Sequence, residues 1–357
     1  MLNNCTKNCI VCGKCSSFPI LTEFNDKLND SINFQQRDGY GIAIDIGTTT
    51  VVLALLDLSN GKILNRRNFL NPQRKFGSDV ISRIKAANEG HLDELRSLIK
   101  ESLLKCLNEL LEFQKIQSNQ IIDISIAGNT TMIYLLLGFP CESLGAAPFK
   151  PSFNLALQYN FNDIFLTQDF TCPVQIIPWF AAFVGGDIMA GLLHVIPQEK
   201  NRFLLIDLGT NGELVLYNNG KLTVTSTAAG SAFENINGNA YENTSDLQLA
   251  KSAIRSGLEI LLETNNLVYK DIDAVYLAGG IGQVMDINYA VTIGLIPLEL
   301  KNICSAIGNA SLGGAVCTLL SPNLSNIKIK NLLSDFTEIN LAFHPNFNEY
   351  FTEYLSF

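Results

Sequence analysis

Two acidic turns carry the residue types for nucleotide chemistry. Asp45 is followed by Gly47, Thr48 and Thr49, and Asp207 by Gly209, Thr210 and Asn211. In such a turn the glycine lets backbone N–H groups approach phosphate oxygens, the hydroxyls donate to them, and the carboxylate faces a hydrated Mg²⁺. One Asp-x-Gly-Thr also makes an ordinary tight turn. Two in related settings can pinch one triphosphate between them.

A second chemistry is suggested at the N-terminus, where Cys5, Cys9, Cys12 and Cys15 follow the spacing C-x3-C-x2-C-x2-C. Four thiolates so close together suit a [4Fe–4S] cluster. A structural zinc is the alternative, although zinc sites usually separate two cysteine pairs by a dozen or more residues. Cys5, Cys9 and Cys12 alone also match the C-x3-C-x2-C of radical enzymes that use S-adenosylmethionine. Cys15 can fill the fourth position, and no repeated strand–helix barrel follows, so that reading is set aside.

Other candidate groups lie between and after the turns. Asp187 could orient an attacking water, or simply satisfy backbone donors at a helix start. Glu213 could assist through metal-bound water or face solvent from a strand. The apolar run Val275–Ala278 ends at Gly279, Gly280 and Gly282, which suits close approach of an adenosine but also an ordinary strand-to-helix turn. Lys251 and Arg255, four apart on a helix, could point toward an adenine; a solvated face is the expectation.

The elements that must position these groups are strongly patterned from Tyr40 onward. Short apolar runs end in Gly-Thr turns and alternate with amphipathic helices, one over Leu92–Leu111 and another from about Asp246 to Glu263. The segment around Asp45 and that around Asp207 echo one another. Each reads as strand, Gly-Thr turn, strand, hairpin and strand, with Asn-Gly at the second turn. Duplication accounts for the echo. Small-residue runs at Phe183–Leu192 and Gly308–Ala315 would let two helices cross closely, and such a crossing could serve as a hinge.

Composition narrows the classes. The chain has 357 residues, 47% of them hydrophobic, enough for one large core or two smaller ones. With 25 Lys and Arg against 34 Asp and Glu, the net charge of −9 disfavours nucleic acid. No apolar run approaches the roughly 20 residues that span a bilayer, and no signal-peptide order is present, so a cytoplasmic protein is expected. Cys106, Cys141, Cys172, Cys304 and Cys317 sit among apolar neighbours and read as reduced core thiols.

In this order the segments resemble the superfamily of actin, hexokinases, sugar kinases and heat-shock chaperones (ASKHA) over about residues 40 to 320. The resemblance implies an α/β fold of two duplicated, ribonuclease-H-like lobes closing on Mg-ATP. By that likeness Asp45 and Asp207 would face the metal, Thr48, Thr49, Thr210 and Asn211 the phosphates with Gly47 and Gly209 in the turns, and Gly279, Gly280 and Gly282 the nucleoside. The expected layout is a cluster segment and tether at 1–39, a first lobe at 40–200 with a return at about 305–320, a second lobe at 201–304, and a strand–helix extension at 321–357.

Within that superfamily the chain is similar to the reductive activators of corrinoid proteins. The likeness rests on Asn71-Pro72-Gln73 with Phe76–Ile84, on Ile126–Met132, on Ser226–Glu234, and on Phe336–Ile339 with His344-Pro345-x-Phe347-x-x-x-Phe351. It implies ATP-driven transfer of a low-potential electron from the iron–sulfur cluster to a corrinoid methyltransferase partner, restoring Co(I). It also implies an upstream electron donor; a homodimer is one option. Activation of another low-potential metalloprotein, a small-molecule kinase with a zinc clip, and a nucleotide-gated binding protein are the other readings. The best-known members carry a larger [2Fe–2S] domain at the N-terminus, whereas this chain has a short cysteine segment.

Overall fold

The computed structural model describes residues 33–153, 158–196, 200–228, 245–282 and 285–355. The chain divides into two compact units, Met1–Pro197 with Ser311–Ile329, and Gln198–Ala310 with Lys330–Phe357.

In the first unit the central strand is β1 (Tyr40–Ile46), nearly all apolar and buried along its length. That composition follows from its place: it pairs antiparallel with β2 (Thr50–Asp57) on one side and parallel with β4 (Ile121–Gly128) on the other. β3 (Lys62–Leu70) pairs with β2 and forms an edge, and its exposed Lys62, charged Arg66 and Arg67, and two asparagines keep that edge from recruiting another strand. β6 (Pro173–Ile176) runs parallel to β4, and β5 (Gln158–Asn160) closes the sheet, giving the order β3-β2-β1-β4-β6-β5.

The longer helices between β3 and β5 position the site. α1 (Val80–Ala86) starts where Asp79 accepts hydrogen bonds from the Ser82 amide and hydroxyl at 2.9 and 2.7 Å. α2 (Leu92–Gln114) buries Leu95, Ile99, Leu103, Cys106, Leu107, Leu110 and Leu111 as its periodicity predicts, and Lys100 besides. It runs three residues past the expected end, to Gln114, and is closed by Lys115 in the left-handed region (φ 57°). α3 (Thr130–Leu137) is capped by the Asn129 side chain and ended by Gly138 (φ 76°). α4 (Gly186–Val195) follows β6.

The second unit repeats the plan. β7 (Arg202–Leu208), β8 (Gly212–Asn218) and β9 (Lys221–Thr227) form an antiparallel meander. Its β8–β9 turn places Asn219 (φ 49°) and Gly220 (φ 96°) both at positive φ, as a tight hairpin turn requires. α5 (Ser245–Thr264) leads to β10 (Ala274–Ala278), parallel to β7, and the short α6 (Gly279–Gly282) follows. β11 (Cys304–Gly308) lies parallel to β10 and leads into α7 (Ala310–Leu320), whose residues from Ser311 on belong to the first unit.

With β12 (Phe336–Ile339) parallel to β9, the sheet order is β11-β10-β7-β8-β9-β12. Each sheet thus has a meander whose first strand lies centrally and whose fourth strand returns parallel beside it. The echo in the sequence is a structural duplication, and the chain has the α/β ASKHA architecture.

α8 (Phe347–Glu353) packs on α5: Ser252 donates to the Phe351 carbonyl, and Glu263 accepts from Asn346 Nδ2 at 2.6 Å and Tyr350 OH at 3.1 Å. This corrects the expectation that Lys251 and Arg255 lie on a solvated face. Lys251 is 2% exposed and Arg255 8%. The Arg255 guanidinium donates to Glu259 Oε1 at 2.8 Å and Tyr269 OH at 2.7 Å, and lies 4.8 Å from the Tyr354 ring centroid.

Cys106, Cys141, Cys172, Cys304 and Cys317 are free and buried, and burial pushes their thiols up to about 11 or 12. Among the described residues, no helix is long and apolar enough to cross a membrane.

Candidate functional site

In each unit the acidic residue is the penultimate residue of the central strand. Asp45 pairs with Val52 of β2 and Ala127 of β4; Asp207 pairs with Glu213 of β8 and Ala278 of β10. The two carboxylates therefore occupy equivalent positions at the end of a parallel strand pair, beside the turn that starts the meander.

The first turn is tight. The Gly47 amide donates to the Thr50 carbonyl at 3.1 Å, and a Cβ on Gly47 would lie 2.6 Å from that oxygen. Among the described residues the Thr48 and Thr49 amides donate to no protein acceptor. Thr48 is buried and its hydroxyl accepts from Asn129 Nδ2 at 3.0 Å, whereas Thr49 is exposed.

The turn is held from behind by residues that the sequence places in motifs without giving them a role. Asn71 Nδ2 donates to the Gly47 carbonyl at 2.9 Å, and the Asn71 amide to the Thr49 carbonyl at 2.9 Å. Arg83 donates to the Thr48 carbonyl at 2.6 Å. The signal available in the sequence is only their place in the motifs Asn71-Pro72-Gln73, Phe76–Ile84 and Ile126–Met132.

Asp187 stands near this turn. It is in the first turn of α4 and accepts from the Ile188 amide at 2.9 Å, so it does satisfy a backbone donor. A Cβ on the preceding Gly185 would lie 2.6 Å from Asp187 Oδ1 and 2.8 Å from the Thr130 amide nitrogen, so glycine lets α4 approach α3. Burial, with the nearby Asp45 carboxylate, pushes Asp187 up to about 7. Two carboxylates in one recess are the arrangement that a divalent cation relieves. Asp45 is also held by Ser311, whose hydroxyl donates to Asp45 Oδ1 at 2.7 Å.

α4 and α7 cross at small residues: a Cβ on Gly314 would collide with the Ala190 carbonyl, and one on Gly313 would lie 2.8 Å from His194 Nδ1.

In the second unit the Gly209 amide donates to the Asn211 carbonyl at 3.0 Å, closing the turn around Thr210. Gly279 adopts φ +86°, and a Cβ there would collide with Asp207 Oδ1 and crowd the Leu208 carbonyl at 2.5 Å. Only glycine fits so close to that carboxylate. Gly280 is exposed, and Gly282 closes α6. Glu213 is 9% exposed, which removes the solvent-facing alternative for it. Cys5, Cys9, Cys12 and Cys15, and Ala229–Glu234 of the motif after β9, lie outside the described residues.

A duplicated sheet with an acidic Gly-Thr or Gly-Thr-Asn turn at the same place in each copy defines an ASKHA-type protein. Residues 40–198 match the RACo middle region, and residues 201–240 and 239–357 match the C-terminal domain of RACo, the ASKHA domain. The chain belongs to the RACo family.

It is 39% identical over 204 residues to the corrinoid activation enzyme RamQ of Eubacterium limosum, a match covering 57% of this chain and 34% of RamQ. Among solved structures it resembles a reductive activator for corrinoid, iron-sulfur protein, with a TM-score of 0.79 and 26% identity over 89% of this chain and 66% of that one. The chain thus spans about a third of the curated relative and just under two thirds of the solved one. A ROK family glucokinase from Streptomyces griseus, solved with glucose and AMPPNP, matches at a TM-score of 0.43 and 14% identity over 78% of this chain and 98% of its own.

Proposed function

We propose that this protein is an ATP-dependent reductive activator, delivering a low-potential electron from an N-terminal iron–sulfur cluster to a corrinoid methyltransferase partner and so restoring Co(I). The observation that supports it most is the repeated acidic turn, Asp45-x-Gly47-Thr48-Thr49 and Asp207-x-Gly209-Thr210-Asn211, at one register in both sheets. The corrinoid-activating relatives supply the class of acceptor.

The residues present fit Mg-ATP. Asp45 and Asp207 would hold the metal. Thr48, Thr49, Thr210, Asn211 and the glycines Gly47 and Gly209 would hold the phosphates, using turn amides that in the first unit have no protein acceptor among the described residues. Gly279, with Gly280 and Gly282 after it, would leave room for the nucleoside, since a side chain at Gly279 is excluded by Asp207. Asp187 would orient water: near neutral pH it is poised to exchange a proton, and a cation at Asp45 would favour its charged form.

Cys5, Cys9, Cys12 and Cys15 would hold the [4Fe–4S] cluster, which supplies a single low-potential electron when bound. The partner and the upstream donor belong to the same proposal. ATP matters because an uphill transfer proceeds only if nucleotide-dependent binding changes the acceptor's environment, and that change is bounded by the difference in affinity for the acceptor's two states.

The test is anaerobic. Reduced protein is mixed with a Co(II) corrinoid protein, and the Co(I) absorption spectrum is followed with and without Mg-ATP. Co(I) is expected only with hydrolysable ATP and Mg²⁺. Full yield without nucleotide would make ATP incidental. No Co(I) under any condition, from protein that holds iron and sulfide, would move the acceptor to another low-potential metalloprotein.

A further inference from the structure

Arg83 is fully buried at 0% exposure, and its hydrogen-bond partners are all uncharged. Nε donates to the Gly77 carbonyl at 3.1 Å, one terminal nitrogen faces the Met132 sulfur at 3.3 Å, and the other donates to the Thr48 carbonyl at 2.6 Å. Burial lowers its pKa only to about 10, so the guanidinium is charged at neutral pH. The nearest acidic influence, Asp79, is committed elsewhere: both its oxygens accept from Ser82. Among the described residues no anion contacts this buried cation, and a charge so placed is costly.

Two further observations fix what Arg83 acts on. It grips the backbone of the turn between Asp45 and β2, the same turn that Asn71 holds at the Gly47 and Thr49 carbonyls. Its local geometry is built for that reach. Gly77 (φ +143°) packs so tightly on Ser82 that a Cβ would collide with it, which brings the Gly77 carbonyl under the guanidinium.

We infer that Arg83 is a positioning residue for polyphosphate: it fixes the Thr48 carbonyl and with it the Thr49 amide of the same peptide, as Asn71 fixes the Gly47 carbonyl and the Thr48 amide, and it places behind the turn a positive charge with no contacting anion among the described residues, for the anion bound in front. This rests on the reading of the Asp45 turn as a phosphate-binding turn. The charge acts through the turn and not by contact. Arg83 therefore favours ligands by the number of phosphate charges they bring, and a bare nucleoside is indifferent to it.

The experiment compares Arg83→Lys and Arg83→Gln in the full chain. Glutamine keeps a donor for Thr48 but removes the charge, whereas lysine keeps the charge and loses the fork. Binding of ATP, ADP and adenosine is measured by calorimetry with Mg²⁺. Arg83→Gln is expected to weaken ATP about tenfold or more and ADP less, with adenosine unchanged, and Arg83→Lys to recover most of the loss. Unchanged ATP affinity in Arg83→Gln, or equal loss in both variants, would overturn the role of charge.

If either variant fails to fold, the wild type decides. The resonance of the Arg83 Nε–H, which is bonded to the Gly77 carbonyl, should shift with Mg-ATP and not with adenosine, and no shift would overturn the inference. Asp45→Asn is the control for the underlying reading: wild-type nucleotide affinity in that variant would sink the site itself, whereas loss there with an indifferent Arg83→Gln would sink only the role given to Arg83.

Discussion

The Ser311 hydroxyl donates to Asp45 Oδ1 at 2.7 Å across 266 residues of sequence. The start of α7 thereby steadies the candidate metal carboxylate. The end of the same helix receives the chain that follows the cysteine-bearing segment: Arg37 donates to the Leu319 carbonyl at 2.6 Å and the Gln35 amide to the Leu320 carbonyl at 2.8 Å. Arg37 is itself paired with Asp123 at 2.8 Å. One helix in the first unit therefore touches both a candidate nucleotide residue and the exit of the N-terminal segment.

Ser311→Ala should leave the fold intact, lower stability by about 1 kcal/mol, and reduce Mg-dependent ATP hydrolysis by less than Asp45→Asn, which is expected to cost about a hundredfold or more. Partner-stimulated phosphate release measures this. Equal turnover in wild type and Asp45→Asn would place the hydrolytic site elsewhere. Hydrogen exchange at the Gln35 amide gives a second readout, expected to slow on Mg-ATP binding in the wild type and less so in Ser311→Ala.

The crossing of α4 and α7 is set by glycine. Gly314→Ala puts a methyl into the Ala190 carbonyl, and no side-chain rotation relieves a clash with backbone. The two helices must separate, and we expect a loss of about 1–3 kcal/mol. Gly220→Ala is the contrast, because a Cβ there meets nothing within 4 Å and only the positive φ of +96° is strained. Trp179 is the chain's single tryptophan and is buried in the first unit, so its fluorescence reads that unit alone. Chemical denaturation followed at Trp179 should shift for Gly314→Ala and stay put for Gly220→Ala.

Much of this was legible where the determinants are local. The paired turns, the Asn-Gly hairpin at Asn219-Gly220 and the spacing of α2 are written within a few residues, and all reappear in the fold. The supports of the first turn were not legible as supports. Asn71, Arg83 and Asn129 reach their partners across 24, 35 and 81 residues. Only the folded sheet brings them behind Gly47 and Thr48. The burial of Lys251 and Arg255 was not legible for the same reason: Arg255 is covered by Tyr354 after α8, whose Phe351 carbonyl meets Ser252 from 99 residues away, and Lys251 lies near Gly294.

That cover gives a prediction for the second unit. The Arg255–Glu259 side chains are 10% and 14% exposed, and Tyr269 donates to the same Glu259 oxygen. Burial, with that bond to Glu259, raises the Tyr269 pKa, so the phenol stays protonated. Removing the cation alone by Arg255→Met strands the carboxylate and should cost about 3 kcal/mol, while Arg255→Met with Glu259→Gln should recover part of it. Thermal denaturation of the four proteins in the cycle measures the coupling, and additive losses would show that the pair is solvated. Proteolysis within Phe347–Glu353 should quicken in Arg255→Met, because the Tyr354 ring loses the guanidinium beneath it.

The last prediction concerns acid. His194 lies on α4 against Gly313, and burial pushes its imidazole down to about 4 from an ordinary 6.5. A base whose folded pKa lies below its unfolded one contributes full stability above the unfolded value. It loses that stability as pH falls toward the folded value, because the unfolded chain takes up the proton first. The window is therefore about pH 6.5 down to 4, and because His194 is half-buried by surface area, with Nδ1 itself covered, the loss is held to about 2 kcal/mol. Asp187 acts in the opposite sense. Burial and the Asp45 carboxylate raise its folded pKa above 3.8, so acidification adds stability there and opposes the loss at His194. His194→Gln removes one side of this balance. Followed at Trp179 without Mg²⁺, the stability of wild type minus that of His194→Gln should shrink by about 2 kcal/mol between pH 7 and pH 4. A difference that stays constant over that range would mean that His194 titrates alike in the folded and unfolded chain.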